Sequence, residues 1–82
     1  MLLVSDKPYT LSDKDSSKSK LEVLLQTTLG GGTAKYYIKD KESSAFSFVK
    51  DLTDVPEILE TPYQGEFKVI TTGSAVVFGD MR

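Results

Sequence analysis

Apolar and polar side chains trade places every second residue along most of this chain, in runs of only five to nine residues. Between Lys20 and Thr28, Leu21, Val23 and Leu25 fall on one face and Glu22, Leu24 and Gln26 on the other. A helix competes here, because Leu21, Leu24, Leu25 and Thr28 also share a helical side; the short run and the Thr27-Thr28 ending before three glycines favour a strand. From Thr33 to Lys39, Ala34, Tyr36 and Ile38 alternate against Lys35, Tyr37 and Lys39 with a period of two. The two runs read as a hairpin around Gly30-Gly31-Gly32. After a turn at 40–44, residues 45–49 set Phe46 and Phe48 against Ala45, Ser47 and Val49, an aromatic and β-branched strand.

The ends of the chain follow the same grammar. Met1 to Val4 reads as a short strand, Pro8 breaks it and keeps Lys7 out of helical geometry, and Tyr9-Thr10-Leu11 is extended again. Residues 12–19 are polar throughout and rich in Ser and Asp, which compete locally for backbone hydrogen bonds and suit an exposed loop. Between Asp51 and Pro62 the apolar spacing is helical, but Pro56 and Pro62 interrupt it, and a short strand over 57–60 is the preferred reading over a helical turn near Pro56. Tyr63-Gln64-Gly65 is a turn. Residues 66–71 and 75–78 then read as a second hairpin around Thr72-Gly73-Ser74, with Gly where a positive φ is often needed.

About six or seven short strands with turns every 8–12 residues predict an all-β fold, a small antiparallel β-sandwich or partly open barrel. One domain spans 1–82, with an N-terminal arm and polar loop over 1–19 and the main sandwich over 20–79. The alternation assigns to the core Val4, Leu21, Val23, Leu25, Tyr36, Ile38, Phe46, Phe48, Phe67, Val69 and Val77, with Leu59 as a further candidate. A core Phe48 would lose about 3–5 kcal/mol on truncation to Ala.

Composition narrows what such a domain can do. The 82 residues contain no Cys, His or Trp, which removes disulfides, thiolate and imidazole metal ligands, and the usual catalytic base. Ten cations face twelve carboxylates for a net charge of -2, and Arg82 is the single arginine, a poor match to a nucleic-acid binder. Four apolar residues at the start are far too few for a signal peptide or a membrane span. The expectation is a chain made in the cytoplasm, with no cofactor, no metal, no nucleic acid and no membrane among its partners.

Candidate chemistry dissolves on inspection. Ser16, Ser17 and Ser19 lie near Lys18 and Lys20, but a catalytic lysine must be desolvated and this segment reads as wet. Glu57, Glu60, Glu66 and Asp80 show no spacing that singles out an acid–base pair; they read as charges that keep strand edges soluble. Asp13-Lys14-Asp15 opens like a calcium loop, yet position six is Lys18 and position twelve Leu24, where an EF-hand needs Gly and Glu. The glycine triplet lacks the following Lys-Ser/Thr and helix of a phosphate loop. Tyr37 between Lys35 and Lys39 resembles a stacking platform, but Tyr36 falls on the opposite face. The expectation is therefore not an enzyme.

What remains is surface. Leu24, Tyr37, Ile70, Val76 and Phe78 fall on faces that should point outward, and they are more apolar than a lone sandwich requires. They form the candidate interface, and they predict self-association.

The order of features also resembles a known class. A run Leu21-Glu22-Val23-Leu24-Leu25-Gln26 leads into Gly30-Gly31-Gly32-Thr33-Ala34-Lys35-Tyr36-Tyr37-Ile38-Lys39, then Phe46-Ser47-Phe48. Gly65-Glu66-Phe67-Lys68-Val69-Ile70-Thr71-Thr72-Gly73-Ser74-Ala75-Val76-Val77-Phe78 closes the domain. Over about residues 20 to 79 this resembles the small β-sandwich virion proteins of tailed bacteriophages, departing from them where Phe46 or Phe48 replaces the usual Trp. The resemblance implies a capsid decoration, head-fibre or tail accessory protein that binds copies of itself and a capsid and resides on the virion. The alternative from another class is a small regulatory binder or inhibitor that docks a host protein through a sheet edge.

Overall fold

Period-two patterning becomes seven strands in two antiparallel sheets, and the fold is a small all-β sandwich. The computed structural model describes residues 1–10, 20–62 and 64–81, with side chains for all of these except Lys20, Leu21 and Met81. The strands are β1 (Tyr9–Thr10), β2 (Lys20–Thr28), β3 (Thr33–Lys39), β4 (Ser47–Asp51), β5 (Glu57–Pro62), β6 (Glu66–Thr72) and β7 (Val76–Met81). One sheet runs β1-β6-β3-β4 and the other β5-β2-β7. The short strand expected over 57–60 is β5, and it lies on the edge of its sheet, where Pro62 removes no ladder bond the sheet interior needs. The polar loop read at 12–19 and the extended Leu11 lie outside the described residues, as does Tyr63 of the expected turn.

Both hairpins expected around glycines are corrected. β2 and β3 belong to different sheets, and so do β6 and β7, so each glycine loop carries the chain from one layer to the other. Alternation cannot distinguish the two outcomes, because a strand shows the same apolar face whether its neighbour in sequence lies beside it or across the core. The loops instead pack on each other. Ser74 Oγ donates to the Gly30 carbonyl at 2.6 Å, and Thr33 N donates to Thr72 Oγ1 at 3.0 Å. Among the described residues one true hairpin remains, β3 to β4, and it carries a bulge between Tyr36 and Tyr37.

Inward residues of both sheets meet in one core: Leu3, Val23, Leu25, Ala34, Tyr36, Leu52, Phe67, Val69 and Val77, with Tyr9, Leu29, Ile38 and Leu59 packed on its margin. Three assignments change. Val4 is 56 % exposed and Leu3 is buried in its place. Four apolar residues in a row carry no phase, and the Leu3 N–H bond to the Val77 carbonyl decides it. Phe48 is 52 % exposed because it pairs with outward Tyr37. Phe46 is half-buried beside Lys39 and Lys68 on the same outer surface. The side chain of Leu21 lies outside the described residues, while Leu52, in the stretch whose periodicity is ambiguous, is buried with its N–H bonded to Ala34.

A polar bond joins the two layers inside this core. Tyr36 Oη and Thr61 Oγ1 lie 2.7 Å apart, both buried, one from each sheet. Burial pushes the Tyr36 phenol above its ordinary 10.0, and the Thr61 bond pulls it partly back. A folded-state pKa above the unfolded one means the fold holds that proton more tightly. This stability is complete below about pH 10 and is lost as pH rises through the folded value. Urea unfolding of Tyr36→Phe should therefore show a loss of about 1–2 kcal/mol at neutral pH, from the unpaired Thr61 hydroxyl. Above pH 10 its stability should fall less steeply than that of the wild type; parallel slopes would remove Tyr36 as a contributor.

Candidate functional site

The sandwich has two outer faces, and they differ in kind. On the four-stranded sheet, Lys35, Tyr37 and Lys39 of β3 stand beside Lys68 and Ile70 of β6 and Phe48 of β4. Each ammonium here is engaged both by a carboxylate and by at least one ring. Lys35 reaches Asp51 at 2.7 Å, Lys39 reaches Glu66 at 2.7 Å and Lys68 reaches Asp6 at 2.8 Å. The same nitrogens lie over rings: Lys35 over Phe48, Lys39 over Phe46, and Lys68 over Tyr37 and Phe46, at 4.6 to 5.8 Å from the centroids. Tyr37 and Phe48 meet edge to face at 5.6 Å. The Asp51 hydrogen bond, helped by its charge, raises the Lys35 pKa.

This arrangement satisfies itself. Three ammoniums are matched by three carboxylates, so these residues offer a phosphate backbone no net attraction. The rings already have cations on their faces, so a stacking ligand would have to displace them. The stacking platform suggested by Tyr37 gains Phe46, Phe48 and Lys68 in the structure, yet its ring faces and charges are taken.

The three-stranded sheet turns a more apolar set of residues outward. Val23, Leu25 and Thr27 of β2 point in, which leaves Glu22, Leu24, Gln26 and Thr28 outside; on β7, Val77 and Gly79 point in and Val76, Phe78 and Asp80 out. Register then lines up apolar residues. Leu24 stands opposite Ile58 of β5, and Phe78 stands opposite Leu2, which bridges to β7 from the N-terminal segment. Ile58, Leu2 and Phe78 are 53 %, 53 % and 48 % exposed, and Val76 adds a further 39 % exposed side chain beside Phe78. On β7 Leu24 itself stands opposite Asp80, and Phe78 stands opposite Gln26, so the pairs Ile58–Leu24 and Phe78–Leu2 are offset by two residues and neighbour each other only on the diagonal.

The five residues expected to form one interface are thus divided. Leu24, Val76 and Phe78 share the three-stranded face, while Tyr37 and Ile70 lie on the other side of the sandwich. Ile58 and Leu2, absent from that set, are the partners of Leu24 and Phe78. Ile58 is adjacent to Leu59, and Leu2 sits inside an apolar run, so neither position has a face until the strand pairing is known.

Compared with known proteins, the chain matches no family model, no curated protein and no solved structure. The site must be read from its own chemistry. Among the described residues, no group of three or more Asp or Glu side chains is placed to hold a metal ion, and no helix is long and apolar enough to cross a membrane. The arrangement that chemistry leaves is an apolar patch on a sheet face, able to exclude water against another surface of similar shape.

Proposed function

We propose that this chain is a non-enzymatic assembly protein that seats the apolar outer face of its three-stranded sheet on other protein surfaces. One observation carries the reading: two apolar cross-strand pairs, Ile58–Leu24 and Leu2–Phe78, lie diagonally to each other on an outer sheet face where alternation normally places polar groups. Its partners in this reading are copies of itself and a larger protein shell. The likeness of feature order over residues 20 to 79 to tailed-phage β-sandwiches supports the narrower proposal of a virion component, a capsid decoration or head-fibre protein.

A second reading has its own observation. Among the described residues, β5 pairs with β2 alone, so its outer edge could accept a strand from a host protein. Sedimentation and native mass measurement separate the two. Assembly predicts a mass that rises with protein concentration, reduced to one chain by Ile58→Lys, an exposed position on an edge strand, without a change in melting temperature. A stoichiometric heterodimer with a cellular protein would favour the edge reading. A single-chain mass at every concentration, with the protein also missing from particles of its source organism, overturns assembly.

A further inference from the structure

We propose that Met1–Leu3 is an exchangeable strand, which two copies of this chain trade so that each lays its own Met1–Leu3 against the other's β7. The contact uses the edge of β7 rather than the outer face of the sheet, so it stands or falls separately from the assembly surface proposed above.

The first ten residues follow two sheet edges in turn. Met1–Leu3 lies beside β7, where Leu3 N donates to the Val77 carbonyl at 2.9 Å and Gly79 N to the Met1 carbonyl at 2.8 Å. From Asp6 on, the chain follows β6 of the other sheet. Asp6 N donates to the Val69 carbonyl at 2.7 Å, and Tyr9 and Thr10 pair with Phe67 and Glu66. A reversal from Val4 to Lys7 joins the two pieces, closed by a 3.3 Å bond from Lys7 N to the Val4 carbonyl.

That reversal is strained. Asp6 stands third in the turn with φ of +64°, a position that favours glycine or asparagine. Its ion pair to Lys68, 2.8 Å long, is 66 % exposed on the Asp6 side and holds the turn weakly. The pieces on either side are well seated. Leu3 is buried and fills the gap over Gly79, where a Cβ would come within 3.1 Å of its Cδ1. Tyr9 stacks on Phe67.

A short strained connection between well-seated pieces invites strand exchange. Opening the reversal loses its closing bond and relieves Asp6. Extended, Val4 to Lys7 spans about 10 Å, against less than about 7 Å in the turn, and the strand is carried away from its own β7. A second copy's β7 offers it the same carbonyl, the same N–H and the same gap over Gly79. Every bond along β7 is remade, so the exchanged and closed forms differ at the hinge alone. Leaving β7 exposes Leu3 to water on the way, so the exchange is slow in the cold and is reached by warming.

Leu2 and Phe78 report it directly. They face each other between the Leu3 and Gly79 bonds, a non-hydrogen-bonded pair whose side chains stand close. The chain has no cysteine, so Leu2→Cys and Phe78→Cys are made as separate variants, each with Ile58→Lys to keep the outer faces apart. Mixed at high concentration, warmed to just below melting, cooled and oxidised, they should give a disulfide-linked dimer under denaturing conditions. Each alone, treated identically, should remain a single chain. In sedimentation after warming, Asp6→Gly should weaken the dimer about 100-fold, roughly tenfold for each of its two hinges, and should melt no lower than its parent. Lys68→Gln, which removes the ion pair and keeps the backbone, should leave the dimer unchanged. A warmed mixture without the linked dimer overturns the exchange, and so does linking of either variant alone. Equal weakening by Lys68→Gln overturns the strained hinge and assigns the effect to the ion pair.

Discussion

Phe67→Ala is expected to destabilise the fold by about 3–5 kcal/mol, while Phe48→Ala costs less than about 1 kcal/mol. Phe67 is fully buried at the centre of the four-stranded sheet, with Tyr9 stacked on it at 5.6 Å and 24° and Tyr36 tilted against it at 5.8 Å. Its truncation leaves a cavity walled by two rings, and neither can move in without giving up its own partner. Tyr9 Oη accepts the Val4 N–H and Tyr36 Oη is tied to Thr61. Phe48, by contrast, already meets solvent over half its surface and touches the edge of Tyr37. For a domain of this size the difference should read as roughly 15–25 °C in melting temperature. Equal melting of the two variants would mean that the bulge in β3–β4 is misplaced and that Phe48 belongs inside.

Gly32→Ala is expected to destabilise by about 2–4 kcal/mol, more than Gly31→Ala at about 1–2 kcal/mol, although Gly31 has the more unusual backbone. The order follows from space. A Cβ on Gly32 would overlap the Thr72 carbonyl oxygen and lie 3.1 Å from Ala75 N, both rigid backbone. Gly31 has φ of +91° but open surroundings, so a methyl group there meets dihedral strain alone. The clash at Gly32 forces apart the two loops that carry the chain between layers. It also breaks the Thr33–Thr72 hydroxyl contact at 2.6 Å that binds them. Urea titrations of both variants decide this. If Gly31→Ala proves the worse, the two loops do not pack as closely as described.

The mixed outcome at these positions shows where sequence patterning runs out. Val23, Leu25, Tyr36, Phe67, Val69 and Val77 were legible as core because each lies in a run with clear alternation. Phe48 lies outside the core its pattern predicts for a reason of geometry. Aromatic content speaks for a strand but not for its phase, and register past a bulge is set by the partner strand. Met1 to Val4 and Ile58-Leu59 fail the same way, since adjacent apolar residues offer two equivalent phases. The candidate interface inherited this limit: three of its residues share one face with Leu2 and Ile58, and two are on the opposite face.

By itself, then, the sequence determines an all-β chain, the positions of most strands, and the absence of Cys and His chemistry. These follow from local rules, since a period of two and the identity of side chains need no knowledge of distant residues. Only the tertiary structure decides which strands are neighbours. It turns two apparent hairpins into crossings between layers and places Leu2 beside Phe78, 76 positions away in sequence. A strand's outer face is a property of one chain segment. An apolar patch shared by several strands is a property of register between segments, and register is fixed when the core closes.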